Sequence, residues 1–210
     1  MILVGQFDSP FVRRVAVTLH HYDMPYTRNT MSVITDAAEM ARINPLGRVP
    51  SLILDNGEVL IDSNAIADHL EEVAGDRADL IPSAGEERRR VLRLVVASCG
   101  VVDKAIAVVY ENLFHEPQHA SRAWLDRCEG QVTHTLRYLE SHITGTWIAG
   151  DRFSQADIMT GAMLGYLTLR LPALFPRTSL PRLAVLSDRC EALGSFAACR
   201  PGAHETMPAV

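Results

Sequence analysis

The chain lacks the cysteine patterns that mark metal sites and redox sites. Its 210 residues contain four cysteines. None of them is spaced from another as a CxxC motif or as a set of metal ligands. The sequence therefore predicts no metal centre and no dithiol redox centre, and it favours a reduced protein. The four are Cys99, Cys128, Cys190 and Cys199.

The chain also lacks a long apolar run. The longest uncharged stretch of the C-terminal half, residues 158–169, is much shorter than the roughly 20 apolar residues that a membrane helix needs. Residues 1–8 contain no basic leader, and their apolar run is too short for a secretory signal. We therefore expect a cytoplasmic protein without a membrane partner.

The chain also has no excess of basic residues. The formal net charge is −5 and the pI is about 5.9, which argues against nucleic acid as the main partner. The one run of charges, residues 86–90, mixes both signs and favours a solvated helix face. Because 48% of the residues are hydrophobic, the chain can bury a sizeable core in one or two domains.

The N-terminal third alternates between short strands and helices. Residues 2–7 and 26–31 predict two strands. Between them, Ser9 is a favourable N-cap for a helix that runs to about Tyr22. The handedness rule for crossover connections makes these two strands parallel. A further short helix is predicted over residues 35–43.

A β-hairpin and a helix complete this part of the chain. The apolar runs 51–54 and 59–61 flank Asn56-Gly57, which predicts a type I′ turn with positive φ at both central residues. Asp62-Ser63 then begins a helix with apolar residues at helical spacing. The order βαβ-α-ββα predicts an α/β domain over residues 1–75.

Beyond a turn-rich linker over residues 76–85, the sequence predicts only helices. Residues 86–210 are therefore interpreted as an all-α helical bundle domain. Its helices are predicted at 86–113, 120–143, 154–171, 183–193 and 196–200. The third is apolar nearly all round and should be central, and Ser154 with Asp157 predicts a capping box at its start. The tail from Gly202 is expected to be loose.

The first two helices of this domain show apolar residues at a spacing of three to four, which predicts the faces that they bury. The first is expected to bury Leu92, Val95, Cys99, Val102, Ile106, Val109 and Leu113. The second is expected to bury Trp124, Leu125, Cys128, Val132, Leu136 and Leu139.

Four motifs stand out along the chain: Ser9-Pro10-Phe11, Asn44-Pro45-Leu46-Gly47-Arg48-Val49-Pro50, Asp62-Ser63, and Gly150 followed by Phe153-Ser154-Gln155-Ala156-Asp157. In type and order they resemble the motifs of the cytosolic glutathione S-transferases, and this resemblance covers the chain nearly from end to end. The resemblance implies a thioredoxin-like N-terminal domain that binds glutathione and a helical domain that holds an electrophile.

The resemblance also implies a role for each matching residue. Pro50 stands at the family's cis-proline, and the Val49 backbone would pair with the cysteinyl unit of glutathione. Asp62 and Ser63 would receive the γ-glutamyl amine and carboxylate. Arg48 would contact the tripeptide near its middle. Glutathione is then the co-substrate, no metal is needed, and a homodimer is expected.

Ser9 determines the subtype that the resemblance implies. Members that exchange disulfides have cysteine at this position, and tyrosine-type members have tyrosine near the end of the first strand, whereas the nearest here is Tyr22. The two adjacent serines of the maleylacetoacetate isomerases are absent. A serine-type transferase is therefore predicted, with Ser9 near the thiol. The alternatives are a binding or scaffold protein, a glutathione-dependent dehalogenase or isomerase, and a Ser9 that only caps its helix.

Overall fold

The computed structural model describes residues 1–205, which form two compact units. The first unit contains Met1–Leu80 together with residues 192–205, and the second contains Ile81–Glu191. The sequence predicts that residues 192–205 belong to the helical domain. They join the first unit because the buried Phe196 packs beside Arg13, whose guanidinium donates to the Phe196 carbonyl.

The first unit is built on a four-stranded sheet with the order β2-β1-β3-β4. The strands are β1 (Ile2–Val4), β2 (Thr27–Asn29), β3 (Ser51–Ile53) and β4 (Val59–Ile61). β1 and β2 are parallel, as the crossover rule predicts, whereas β3 pairs antiparallel with both β1 and β4. This confirms the predicted thioredoxin-like fold of the N-terminal domain.

Three helices of this unit follow the predicted positions. They are α1 (Pro10–His21), α2 (Ala37–Ile43) and α3 (Ser63–Ala74). Pro10 occupies the first position of α1, where its missing N–H costs nothing. The core between sheet and helices is apolar, and it contains the fully buried side chains of Leu3, Leu19, Leu52, Ile66 and Leu70.

The turn between β3 and β4 differs from the prediction. Gly57 has a φ of 87°, but Asn56 is not among the residues with positive φ, so the predicted type I′ turn is wrong. Gly57 N–H donates to Leu54 O at 2.9 Å, and Leu54 N–H donates to Glu58 O at 2.8 Å. This is the longer hairpin connection in which a single left-handed glycine follows a turn.

Within its described residues, the second unit contains helices and no strand, with one isolated β-bridge between Trp147 and Gly150, which confirms the predicted class. Its helices are α4 (Gly85–Phe114), α5 (Arg122–His142), α6 (Gln155–Arg170) and α7 (Pro181–Glu191). The short α8 (Gly194–Ala198) belongs to the first unit. α6 is buried along most of its length, as its apolar composition predicts. Across residues 1–205, no helix combines the length and the apolar character that a membrane span requires.

The buried face of α4 is wider than predicted, and it is rotated around the helix axis relative to the predicted face. Val95, Val102 and Val109 are buried as expected, but Leu92, Cys99, Ile106 and Leu113 are only partly buried. The rest of the face is formed by Val91, Leu94, Ser98, Val101, Ala105 and Val108. Because α4 packs against both α5 and α6, a single apolar stripe does not describe its contacts.

Two further expectations are wrong. Trp124 on α5 is 39% exposed rather than inward, and Lys104 lies over its ring at 5.5 Å. The tail is not loose from Gly202 as far as Glu205, because Ala203–Glu205 forms a 3-10 turn and the Glu205 side chain is buried. Residues 206–210 lie outside the described part of the chain.

Candidate functional site

Three strand ends meet at one edge of the sheet. Ser51, the first residue of β3, pairs with Val4 at the end of β1 and with Ile61 at the end of β4. The segments that continue from these ends are therefore neighbours: Gly5–Ser9 after β1, Val49-Pro50 before β3, and Asp62-Ser63 after β4. Residues that lie far apart in the sequence are thus brought to one place.

Gly5 permits the close packing of the first two segments. Its φ is 126°, and a Cβ atom added there would lie 2.6 Å from Val12 Cγ2 and 2.9 Å from Val49 Cβ. Both distances are shorter than real Cβ atoms tolerate, so a side chain at this position would separate the segments. Glycine also accepts this backbone conformation without the cost that other residues incur.

The loop before β3 is organised by Asn44, the first residue of the second motif, to which the sequence assigns no role of its own. The buried Asn44 side chain donates to Arg48 O at 2.8 Å and accepts from Leu46 N–H at 2.9 Å. The peptide bond between Val49 and Pro50 is cis, as the resemblance implies. The Arg48 side chain is exposed and therefore free to meet a ligand at this edge.

Ser9 stands at the start of α1, as the sequence predicts. Its hydroxyl accepts from Val12 N–H at 3.5 Å, which is long for a hydrogen bond. Its backbone N–H donates to Gln6 O at 3.2 Å, and its carbonyl accepts from Arg13 N–H at 2.9 Å. The backbone of Ser9 is therefore held more firmly than its hydroxyl, which retains a proton to donate to a ligand.

Asp62 and Ser63 form the start of α3 in a constrained geometry. Asp62 is the N-cap, and its carboxylate accepts from Asn64 N–H at 2.7 Å. Its φ of 70° and ψ of 130° place a non-glycine residue in a sparsely populated region, a feature that concentrates at functional sites. The first N–H groups of a helix attract a carboxylate, and Ser63 lies among them.

Arg14 connects α1 to the start of α3, and the sequence analysis missed it. Its side chain is 1% exposed. Nη1 donates to Ser63 Oγ at 3.2 Å and to Asn64 Oδ1 at 2.8 Å. A guanidinium is always charged in proteins, so it places a positive charge directly behind Ser63. Nothing in the local sequence predicts this contact, since its partners lie about fifty residues away.

Taken together, these features give the edge a partly positive character that suits a negatively charged group of a ligand. The N-termini of α1 and α3 both lie there, and helix N-termini carry partial positive charge. The Arg14 guanidinium also donates a hydrogen bond to Ser63 Oγ at the start of α3. Within residues 1–205, no cluster of three or more His, Cys, Asp or Glu side chains is arranged to hold a metal ion.

Sequence profiles of known families match both parts of the chain. The profile described as glutathione S-transferase, N-terminal domain, matches residues 3–78. The profile described as glutathione S-transferase, C-terminal domain, matches residues 122–189. The first match includes every segment of the sheet edge described above.

Individual proteins are similar over nearly the whole chain. A glutathione S-transferase from Methylobacterium radiotolerans, solved in complex with glutathione sulfonate, is 30% identical with a TM-score of 0.91, over 100% of this chain and 98% of that one. The uncharacterized GST-like protein YibF of Escherichia coli is 28% identical over 96% of this chain and 98% of its own length. Maleylacetoacetate isomerase of Pseudomonas aeruginosa is 27% identical over 100% of both chains.

Proposed function

The chain belongs to the glutathione S-transferase family, and we propose that it transfers glutathione to a small hydrophobic electrophile. The observation that carries this proposal is the meeting of three strand ends at one edge of the sheet. That edge brings together Ser9, Val49-Pro50 and Asp62-Ser63, the segments that match the family's motifs. The relative from Methylobacterium, which binds glutathione sulfonate, supports the ligand class.

In the proposed complex, glutathione lies extended along the sheet edge. The Val49 backbone pairs with the cysteinyl unit in the manner of an added strand. Asp62 accepts from the γ-glutamyl amine, and Ser63 donates to the γ-glutamyl carboxylate at the N-terminus of α3. Arg48, exposed beside Val49, contacts the middle of the tripeptide. Arg14 supports this end of the site by holding Ser63 in place.

The proposed chemistry depends on the state of the glutathione thiol. A free thiol has a pKa of about 8.5 and is mostly protonated at neutral pH, whereas only the thiolate is a strong nucleophile. The Ser9 hydroxyl donates a hydrogen bond to the sulfur, and the N-terminus of α1 favours its negative charge. A decrease of one in the pKa requires about 1.4 kcal/mol, which one charge-assisted hydrogen bond supplies. The thiolate then forms a bond to carbon as the leaving group departs with its electron pair.

Replacing Ser63 with alanine is expected to weaken glutathione binding. The γ-glutamyl carboxylate loses a hydroxyl donor worth about 1–3 kcal/mol, and calorimetric titration of the parent and Ser63→Ala measures the difference. Ser83→Ala is a suitable control because Ser83 is exposed and lies outside the site. A dissociation constant that is the same in all three proteins would exclude Ser63 from the site, and no binding by the parent would refute the proposed function.

Two other functions are alternatives to the proposed transferase activity. A glutathione-binding scaffold would bind glutathione in the same titration but would not conjugate any electrophile in a substrate screen. An isomerase is favoured by the full-length similarity to maleylacetoacetate isomerase, although Ser9 here lies between Asp8 and Pro10 rather than beside a second serine. Direct assay of a cis-trans isomerisation alongside conjugation distinguishes these activities.

Most members of the family are dimeric, and we propose that this chain forms a homodimer.

A further inference from the structure

Glu205 is a buried carboxylate in the first unit, with its side chain only about 2% exposed. It accepts from Phe7 N–H at 3.1 Å and from Gly202 N–H at 2.9 Å, and it forms an ion pair with Arg28. Burial favours the neutral form, but the Gly202 and Phe7 N–H groups and the Arg28 guanidinium outweigh it and lower the pKa of Glu205. A charge buried in this way is costly unless it is paired. The burial of Glu205 therefore depends on its contacts with Phe7, Gly202 and Arg28.

Arg28 contacts Phe7 as well as Glu205. Its guanidinium carbon lies 3.4 Å from the centroid of the Phe7 ring, the stacked arrangement that arginine forms with aromatic faces. Phe7 is therefore held twice, through its backbone N–H by Glu205 and through its ring by Arg28. We call these three residues the clasp.

The clasp holds the turn that carries Ser9. Ser9 N–H donates to Gln6 O at 3.2 Å, so the residues from Gln6 to Ser9 form one closed turn with Phe7 inside it. The hydrogen bond from Phe7 to Glu205 is long-range in sequence, spanning 198 residues. Glu205 thus contacts the turn that carries Ser9, although the two residues lie far apart in the sequence.

The same C-terminal segment also holds the chain after Ser9. Arg13, in the first turn of α1, donates through Nε to Cys199 O at 3.1 Å and through Nη2 to Phe196 O at 3.3 Å. Arg13 N–H in turn donates to Ser9 O at 2.9 Å. Ser9 is consequently fixed from both sides by residues 196–205.

We propose that Glu205 is a positioning residue for the glutathione thiol: by holding Phe7, it sets the place from which Ser9 donates to the sulfur. This inference rests on the proposed function. It assigns a role in the reaction to a residue that does not touch the substrate. The γ-glutamyl end of the ligand is bound by separate residues, so loss of the clasp should affect the thiol more than the affinity.

The test compares Glu205→Ala with His204→Ala, an exposed neighbour in the same 3-10 turn. We expect Glu205→Ala to shift the pKa of bound glutathione toward the free-thiol value of about 8.5, as measured by thiolate absorbance against pH. Turnover at neutral pH should fall about three- to tenfold, since small misplacements of a catalytic group cost up to about a hundredfold. His204→Ala should match the parent in both measurements.

A second pair of variants guards against a general loss of folding. Arg28→Met removes the ion pair and the stacked cation, whereas Arg28→Lys retains a charge that can pair with Glu205. The inference predicts that Arg28→Met reproduces the raised thiol pKa and that Arg28→Lys restores at least half of the lost turnover. Hydrogen exchange of the Phe7 amide should be faster in Arg28→Met and in Glu205→Ala.

Other outcomes overturn the inference. A parent that binds glutathione, with clasp variants that titrate identically to it, would mean that the clasp only stabilises the fold. Variants that lose turnover and stability equally, without a change in the thiol pKa, lead to the same conclusion. A parent that binds no glutathione would instead refute the proposed function, and the inference with it.

Discussion

Ser9→Ala is expected to leave the bound glutathione thiol largely protonated at neutral pH. The thiolate loses its hydroxyl donor, and a hydrogen bond to a charged group contributes about 1.5–3 kcal/mol. Turnover near neutral pH should therefore fall roughly ten- to a hundredfold, whereas glutathione affinity should change little because most proposed contacts involve Val49, Asp62 and Ser63. Thiolate absorbance against pH and conjugation of a chlorodinitrobenzene provide the two measurements.

The capping geometry allows this effect to be separated from stability. Because the hydrogen bond from Val12 N–H to Ser9 Oγ is 3.5 Å long, its loss should cost no more than the usual N-cap value of about 1 kcal/mol. Denaturant unfolding of both proteins measures this cost. If the thiol titrates in Ser9→Ala as it does in the parent, Ser9 is a structural cap and the thiolate is stabilised by backbone N–H groups.

Ser9→Cys provides a matched variant with a different outcome. A cysteine at a helix N-terminus has a lowered pKa and is present largely as thiolate. It should attack glutathione disulfide, form a mixed disulfide with the protein and release one glutathione thiolate. The parent has no sulfur at this position and should not form that adduct, which mass spectrometry of the intact protein detects.

Asp157→Ala should cause a large loss of stability in the helical unit. The fully buried carboxylate accepts from Ile148 N–H at 2.8 Å, from Ser154 N–H at 2.9 Å and from Ser154 Oγ at 2.8 Å. Its removal leaves two backbone N–H groups buried without partners, at a cost of about 1–3 kcal/mol each. Urea unfolding measures this difference. Asp151→Ala, which removes one exposed contact to Thr146 N–H, is the control and should lose much less.

The Asp157 contribution should also depend on pH. Burial raises the pKa of Asp157 from 3.8 to about 6, against the opposing effect of its hydrogen bonds. Between these two values the folded state binds more protons than the unfolded state, so stability falls as pH rises. The stability advantage of the parent over Asp157→Ala should therefore be greatest at or below the lower value and decline toward the upper one. An advantage that grows over this range would contradict the raised pKa.

Local sequence patterns were enough to predict most of the fold. The strands, the parallel pair and the capping box of α6 all follow from residues close together in the sequence, and the structure confirms them. The face of α4 was only partly predictable from apolar spacing, because α4 packs against both α5 and α6 and because the polar residue Ser98 lies in the contact with α6. Its hydroxyl shares a hydrogen bond of 2.9 Å with Thr160 Oγ1. In the sequence alone, a serine that forms such a buried pair cannot be distinguished from a surface serine, because its partner lies on another helix.

The same holds for the candidate site: residues with a local sequence signal could be predicted, and residues that depend on distant partners could not. Asp62, Ser63 and Pro50 could be proposed from the sequence because turns and helix starts restrict which residues can stand there, and because they match motifs of the family. Arg14 and Glu205 were missed because their partners lie far away in the sequence. In isolation, an arginine within a helix or a glutamate near the end of a chain is most simply interpreted as a surface charge.

The first unit is discontinuous in sequence, and this has a consequence for biosynthesis. Met1–Leu80 is synthesised before the rest of the described chain, but two carbonyls that accept from the Arg13 side chain and the carboxylate that accepts from Phe7 N–H belong to residues 196–205. At about 5–20 residues per second, these partners are synthesised roughly ten seconds later. Ile81–Glu191 is contiguous and can complete its contacts in the meantime. The unit whose synthesis begins first therefore cannot complete these contacts until residues 196–205 have been made, and a nascent chain stalled before α8 should lack them.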